Sequence, residues 1–152
     1  MADAADLISL YSKRILALAA DIPHAERLAE PQGSAMKRSP LCGSTLTVDV
    51  RMDGNRVAAF GQDVKACALG QASAAILGEK VIGASRSDLI EGRDALRAML
   101  KQGADAPEGM WSGLEVLTPA KDYKNRHASI MLAWEGVIDA IDDIGAEAFA
   151  GG

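Results

Sequence analysis

Between residues 45 and 64 the sequence carries a period of two, which limits the fold more than any other feature of the chain. Leu46, Val48, Val50 and Met52 alternate with Thr45, Thr47, Asp49 and Arg51, the pattern of a strand with one face in a core and the other toward water. Asp53-Gly54-Asn55 interrupts the run with residues that tolerate positive φ, the mark of a tight hairpin turn. A second strand is expected from Arg56 to about Val64.

Elsewhere the period is helical. Residues 3 to about 20 place Leu7, Leu10, Tyr11, Arg14, Ile15 and Leu18 at spacings of three and four, and Pro23 ends that helix or starts a short second turn. Glu30–Pro40 holds two prolines, a glycine and two serines and reads as an irregular lead-in. Ala68–Lys80 predicts a helix with Leu69, Ala72, Ile76 and Leu77 on one side. Ser85 or Ser87 caps another, running to about Leu100 with Leu89, Leu96 and Leu100 inward. Gln102–Gly113, with three glycines, Pro107 and Trp111, reads as a loop or insertion. Thr118-Pro119 is a helix start, with the threonine as cap. Ser129–Asp142 predicts a final amphipathic helix through Ile130, Trp134, Val137, Ile138 and Ile141. The expectation is one α+β domain over 1–152. In it a small antiparallel sheet, the hairpin at about 44–64 with room for a third strand, packs against several helices.

Composition narrows the function classes. With 49% apolar and 24% charged residues in 152, the chain is long enough to bury a core without staples. A net charge of −5 and a pI near 5.0 argue against nucleic acid or an anionic membrane as partner. Asp139, Asp142, Asp143 and Glu147 read as a solvated helix face. No run approaches the roughly 20 apolar residues of a membrane helix. The acidic N-terminus lacks a signal peptide's basic region, so the expected location is cytoplasmic. In a reducing compartment the two cysteines predict thiol chemistry over a disulfide.

Those cysteines flank the hairpin. Cys42 precedes its first strand beside Gly43, and Cys67 follows its second strand at the start of a helix, where the helix dipole favours a thiolate. A hairpin brings its outer ends together, so both thiols fall at one end of the sheet. Two small buried thiols without a role fit the same spacing. His127 follows Lys121, Lys124 and Arg126 and precedes the last apolar helix, and His24 reads as surface. Glycine-rich phosphate loops, His-Glu-x-x-His, Cys-x-x-Cys and Gly-x-Ser-x-Gly are absent. Ser44, Ser73 and Ser129, beside only two histidines, do not make a hydrolase triad.

From about Leu7 to Ile141 the arrangement resembles the NifU/IscU/SufU family of iron–sulfur cluster assembly scaffolds. The Leu10-Tyr11 to Ile15 helix with Ile22-Pro23 resembles the family's opening, Pro40-x-Cys42-Gly43 its first ligand motif, and Cys67 after the Asp-Gly hairpin its second. The length from Cys67 to Arg126-His127 is similar to the SufU branch, whereas His127 itself resembles the IscU branch. Ser44 stands where the family has a ligand Asp, and Ala128 where it has the third Cys. The resemblance therefore implies a reduced ligand set of Cys42, Cys67 and His127. It also implies a non-enzymatic carrier of iron or a transient iron–sulfur cluster, with a cysteine desulfurase and recipient apoproteins as partners. A zinc-dependent sulfur acceptor and a metal-free interaction module are the alternatives. The oligomeric state stays open.

Overall fold

The computed structural model describes residues 13–40 and 43–151. Residues 1–12, which carry Leu7, Leu10 and Tyr11 of the expected first helix, lie outside the described residues, as do Leu41 and Cys42. Residues 13–20 form the described part of that helix, α1. Three strands follow, β1 (Gly33–Arg38), β2 (Thr45–Asp53) and β3 (Arg56–Lys65), and then α2 (Ala68–Lys80) and α3 (Arg86–Gln102). Two 3-10 stretches, Gly109–Asp122 and Lys124–Arg126, lead into α4 (His127–Gly151).

The hairpin forms as its alternation dictates. β2 pairs antiparallel with β3 from Thr45↔Lys65 to Asp53↔Arg56, with a register slip at Arg51/Met52. Gly54 takes φ +63 in the turn. Leu46, Val48 and Val50 are buried beneath α4, which lies across β1 and β2. Full burial of such side chains contributes roughly 1.5–3 kcal/mol each.

The opposite face departs from expectation. Asp49, on the face expected to meet water, is fully buried. The segment before β1 folds over it. Arg27 donates to Asp49 through Nε at 2.6 Å and Nη2 at 3.1 Å, Leu28 N donates at 3.0 Å, and Ser34 Oγ at 2.5 Å. Four donors satisfy a buried carboxylate that would otherwise be costly. His24 is exposed, as expected, and sets its ring edge-on to Phe60 at 6.0 Å.

Part of the expected lead-in at Glu30–Pro40 is β1, the third strand, paired antiparallel to β2 from Gly33↔Val50 to Arg38↔Thr45. Its glycine is a packing device. A Cβ on Gly33 would collide with the carbonyl of Ala140 on α4, so a residue that reads as a breaker lets the helix settle on the strand.

Ser85 forms the expected cap of α3, accepting from Asp88 N at 3.0 Å while Asp88 Oδ2 accepts from Ser85 N at 3.0 Å. The chain after α3 corrects two expectations. Of the loop expected at Gln102–Gly113, residues 103–108 are irregular as expected, but from Gly109 the chain is wound in 3-10 turns, through Asp122. Trp111 anchors it, donating its indole N–H to Asp88 O at 2.8 Å and meeting Trp134 edge-on at 4.8 Å. Thr118-Pro119 starts no helix, because the Thr118 hydroxyl donates back to Glu115 O at 2.7 Å inside the same turns.

Of the acidic residues expected on a solvated face of α4, Asp139 and Asp142 are exposed but also paired, Asp143 is bonded, and the side chain of Glu147 lies outside the described residues. Asp139 meets Lys37 at 2.9 Å, Asp142 meets Arg86 at 2.8 Å, and Asp143 accepts from Ser34 N at 3.0 Å. They tie the helix to β1 and α3. Among the described residues no helix is long and apolar enough to cross a membrane.

Candidate functional site

Cys67 leaves β3 in extended conformation, at φ −65 and ψ 168, and caps α2. Its carbonyl accepts from Gln71 N at 2.9 Å, the first helical bond, and its thiol is half-buried beside the free amides of the opening turn. Burial pushes this thiol up. The Ser129 hydroxyl, the N–H groups of Gly70 and Leu69 and the charge of Arg126 outweigh that effect and hold it below the usual thiol range. The expected thiolate-favouring position is therefore present.

At the same end of the sheet, Ser39 N donates to Ser44 O at 2.8 Å and Gly43 N to Ser39 O at 2.9 Å, closing the loop in which the sequence places Cys42. Cys42 itself is outside the described residues. Ser44 is buried at the foot of β2. Its hydroxyl lies 3.0 Å from Ser129 Oγ, which in turn lies 3.5 Å from Cys67 Sγ. A chain of thiol, hydroxyl and hydroxyl thus joins the starts of α2, α4 and β2.

His127 is not part of that chain. Its Nε2 lies 3.0 Å from Ala120 O, and a carbonyl only accepts, so Nε2 carries the proton. Nδ1 then accepts from Lys101 Nζ at 3.1 Å. Both ring nitrogens are engaged, and the buried ring faces the 3-10 segment and α3. Ala128 is exposed and shares with His127 a cleft of about 220 Å³ between α3 and α4, lined also by Arg97, Lys101, Met131 and Glu135. Among the described residues no three His, Cys, Asp or Glu side chains converge on a point that suits a metal ion.

The structure therefore brings Cys67 together with Ser44 and leaves His127 on the α3 side. The residue that sequence reasoning passed over is Ser129. Its signal was a stripe of small residues, Ser129, Ala133, Gly136 and Ala140, which lines the buried face of α4.

This fold and site define a class of small α+β proteins that carry a cysteine where the end of an antiparallel sheet meets a helix N-terminus. Comparison with solved structures specifies the class. The N-terminal region of a nitrogen-fixing NifU-like protein from Brucella abortus superposes with a TM-score of 0.87 at 42% identity, covering 93% of this chain and 98% of that one. The chain belongs to the NifU/IscU/SufU family. An iron–sulfur cluster assembly scaffold protein for the SUF system from Fervidobacterium islandicum AW-1 shares the fold, with a TM-score of 0.79 at 20% identity over 88% of this chain and 97% of that one. A hypothetical protein does so at 0.79 and 21%, over 88% and 98%. No family model and no curated protein matches the chain.

Proposed function

We propose that this protein is an iron–sulfur cluster assembly scaffold that holds iron or a nascent cluster as cargo through the thiolates of Cys67 and Cys42, and passes it to apoproteins in a reducing cytoplasm. The observation that carries this reading is Cys67, a thiol held toward its thiolate form at the mouth of α2. Thiolates suit iron and its sulfide clusters. With hydroxyls at Ser44 and Ser129 in place of further anionic donors, the grip is weak, and weak ligation suits a protein that must release what it carries. His127 joins the donor set only by giving up Ala120 and Lys101. Anaerobic incubation with iron, sulfide and reductant is expected to produce visible absorption that is lost in Cys67→Ala and in Cys42→Ala. A colourless protein after that treatment refutes the scaffold role.

The same observation favours a second reading, that Cys67 accepts sulfur from a cysteine desulfurase. The thiolate would attack the outer sulfur of the desulfurase persulfide, forming the persulfide on Cys67 and releasing the donor cysteine as thiolate, so that charge and atoms balance. Mass spectrometry of the Cys67 peptide after incubation with a desulfurase and cysteine separates the readings. A persulfide without colour favours the acceptor.

A further inference from the structure

We infer that Ser39 is a sulfur-binding residue, whose buried hydroxyl donates to the anionic sulfur that cargo adds beyond the thiol of Cys67. This rests on the reading that Cys67 carries sulfur, as cluster sulfide or as persulfide, and adds to it a protein group from the end of β1.

Ser39 is fully buried, and its Oγ has no hydrogen-bond partner. An unpaired buried hydroxyl is costly and uncommon in a native fold, so this one points to an acceptor that is absent from the resting protein.

Its placement says which acceptor. β1 turns alternate residues toward α4. A Cβ on Gly33 would collide with Ala140 O, Lys37 reaches Asp139, and a Cβ on Gly136 would lie 3.5 Å from Lys37 Cγ. Ser39, two residues past Lys37, keeps that face. Because these contacts step back along α4 from 140 to 136, Ser39 falls toward the turn that carries Ser129. It is also the cross-strand neighbour of Ser44, joined by Ser39 N donating to Ser44 O at 2.8 Å, and such neighbours share one face of a sheet. Ser44 is the buried hydroxyl that meets Ser129, which meets Cys67. Ser39 therefore stands at the inner end of the thiol–hydroxyl chain.

A count of protons gives its role. A thiolate only accepts, so with Cys67 in that form the two contacts of the chain use the protons of Ser129 and Ser44. A sulfur anion bound beyond Sγ then finds neither of them free. Of the three hydroxyls, the Ser39 group keeps a proton to give. Hydrogen bonds to sulfur stabilise its anionic form and raise the potential of a cluster that contains it.

Ser39→Ala tests this in two arms, since the sulfur has two sources. The first uses a Cys42→Ala background, in which Cys67 is the chain's only thiol. Its persulfide is brought to equilibrium anaerobically with a fixed mixture of cysteine and cysteine persulfide and counted by mass spectrometry. The ratio of persulfide to thiol is expected to fall about tenfold in Ser39→Ala. The second arm uses both cysteines and a cluster reconstituted from iron and sulfide, whose reduction potential is expected to fall in Ser39→Ala. A change in the first arm alone identifies persulfide as the sulfur, a change in the second alone identifies cluster sulfide, and either supports the inference. Melting of the sulfur-free protein separates binding from packing. Removing an unpaired hydroxyl is expected to raise its melting temperature by about 2–4 °C. The inference is overturned if neither arm moves, or if sulfur-free Ser39→Ala melts below its parent, because the hydroxyl then has a partner without cargo. Sulfur uptake with neither arm moved loses the inference alone. A parent whose Cys67 takes sulfur in neither form loses the underlying reading with it.

Discussion

Arg27 grips Asp49 with two nitrogens, at 2.6 and 3.1 Å, although the arginine is half exposed and the carboxylate has no exposure at all. The pair fastens the segment before β1 to the back of the sheet. That sheet's far end carries the site, so the ion pair supports the frame in which Cys67 and Ser44 meet. Burial pushes the Asp49 carboxyl up, but donation from Arg27, Ser34 and Leu28 prevails and holds it below the usual carboxylate range. A carboxyl lowered on folding contributes stability above its unfolded pKa and loses it as pH falls through the folded value. Arg27→Ala is expected to cost about 1–3 kcal/mol, since Ser34 and Leu28 still serve the charge. Asp49→Ala, which strands all four donors, costs about 3 kcal/mol or more. Urea unfolding at pH 7 and pH 3.5 checks both, and the difference between parent and Asp49→Asn shrinks at the lower pH.

The same pair shows what the sequence could and could not reveal. The hairpin and the α3 cap were legible because their causes are local: alternation, an Asp-Gly turn, and Ser85 three residues from Asp88. Asp49 obeys the alternation and is still buried, because its partners lie 15 to 22 residues away in sequence. β1 was obscured by Gly33, whose missing side chain serves α4, more than 100 residues later. Trp111 likewise organises turns that have no period of their own. At the site, Cys67 announced itself by standing at a helix start. Ser129 did not, since the phase of α4 is set by Ser73 across 57 and 61 residues.

Cys67 is expected to be the more reactive for its neighbours. Its thiol lies below the usual range because the Ser129 hydroxyl and the Gly70 and Leu69 amides outweigh its burial. Iodoacetamide alkylation of the Cys67 peptide, followed against pH, should therefore rise at lower pH than for a free cysteine. Ser129→Ala removes the principal favourable contact and moves the profile to higher pH. Ser44→Ala, one hydroxyl further along the chain, moves it less. An unchanged profile in Ser129→Ala would remove the hydroxyl from the account of Cys67.

Trp111 should behave as a core residue despite its position in a glycine-rich stretch. It is buried, bonded to Asp88 O and edge-on to Trp134. Trp111→Ala is expected to cost about 3–5 kcal/mol. Trp111→Phe keeps the ring contact and loses mainly the hydrogen bond, at about 1 kcal/mol. Thermal denaturation orders the two. Equal melting temperatures for both variants would mean that the 3-10 segment packs independently of this ring.

His127 separates structure from ligation. Its Nε2 donates to Ala120 O and its Nδ1 accepts from Lys101, so the imidazole ties α4 to the 3-10 segment and to α3. His127→Ala leaves the Ala120 carbonyl without that donor and opens a gap at the start of α4. A loss of about 1–3 kcal/mol is expected. Lys101→Ala should cost less, because an exposed lysine on a neutral acceptor contributes little. Neither change touches Cys67, Ser44 or Ser129. Cobalt charge-transfer absorption at saturation in His127→Ala should therefore equal the parent's at a temperature where both are folded. If His127→Ala instead loses that absorption while Lys101→Ala keeps it, the ring turns toward the thiols when metal arrives, and the histidine belongs in the ligand set after all.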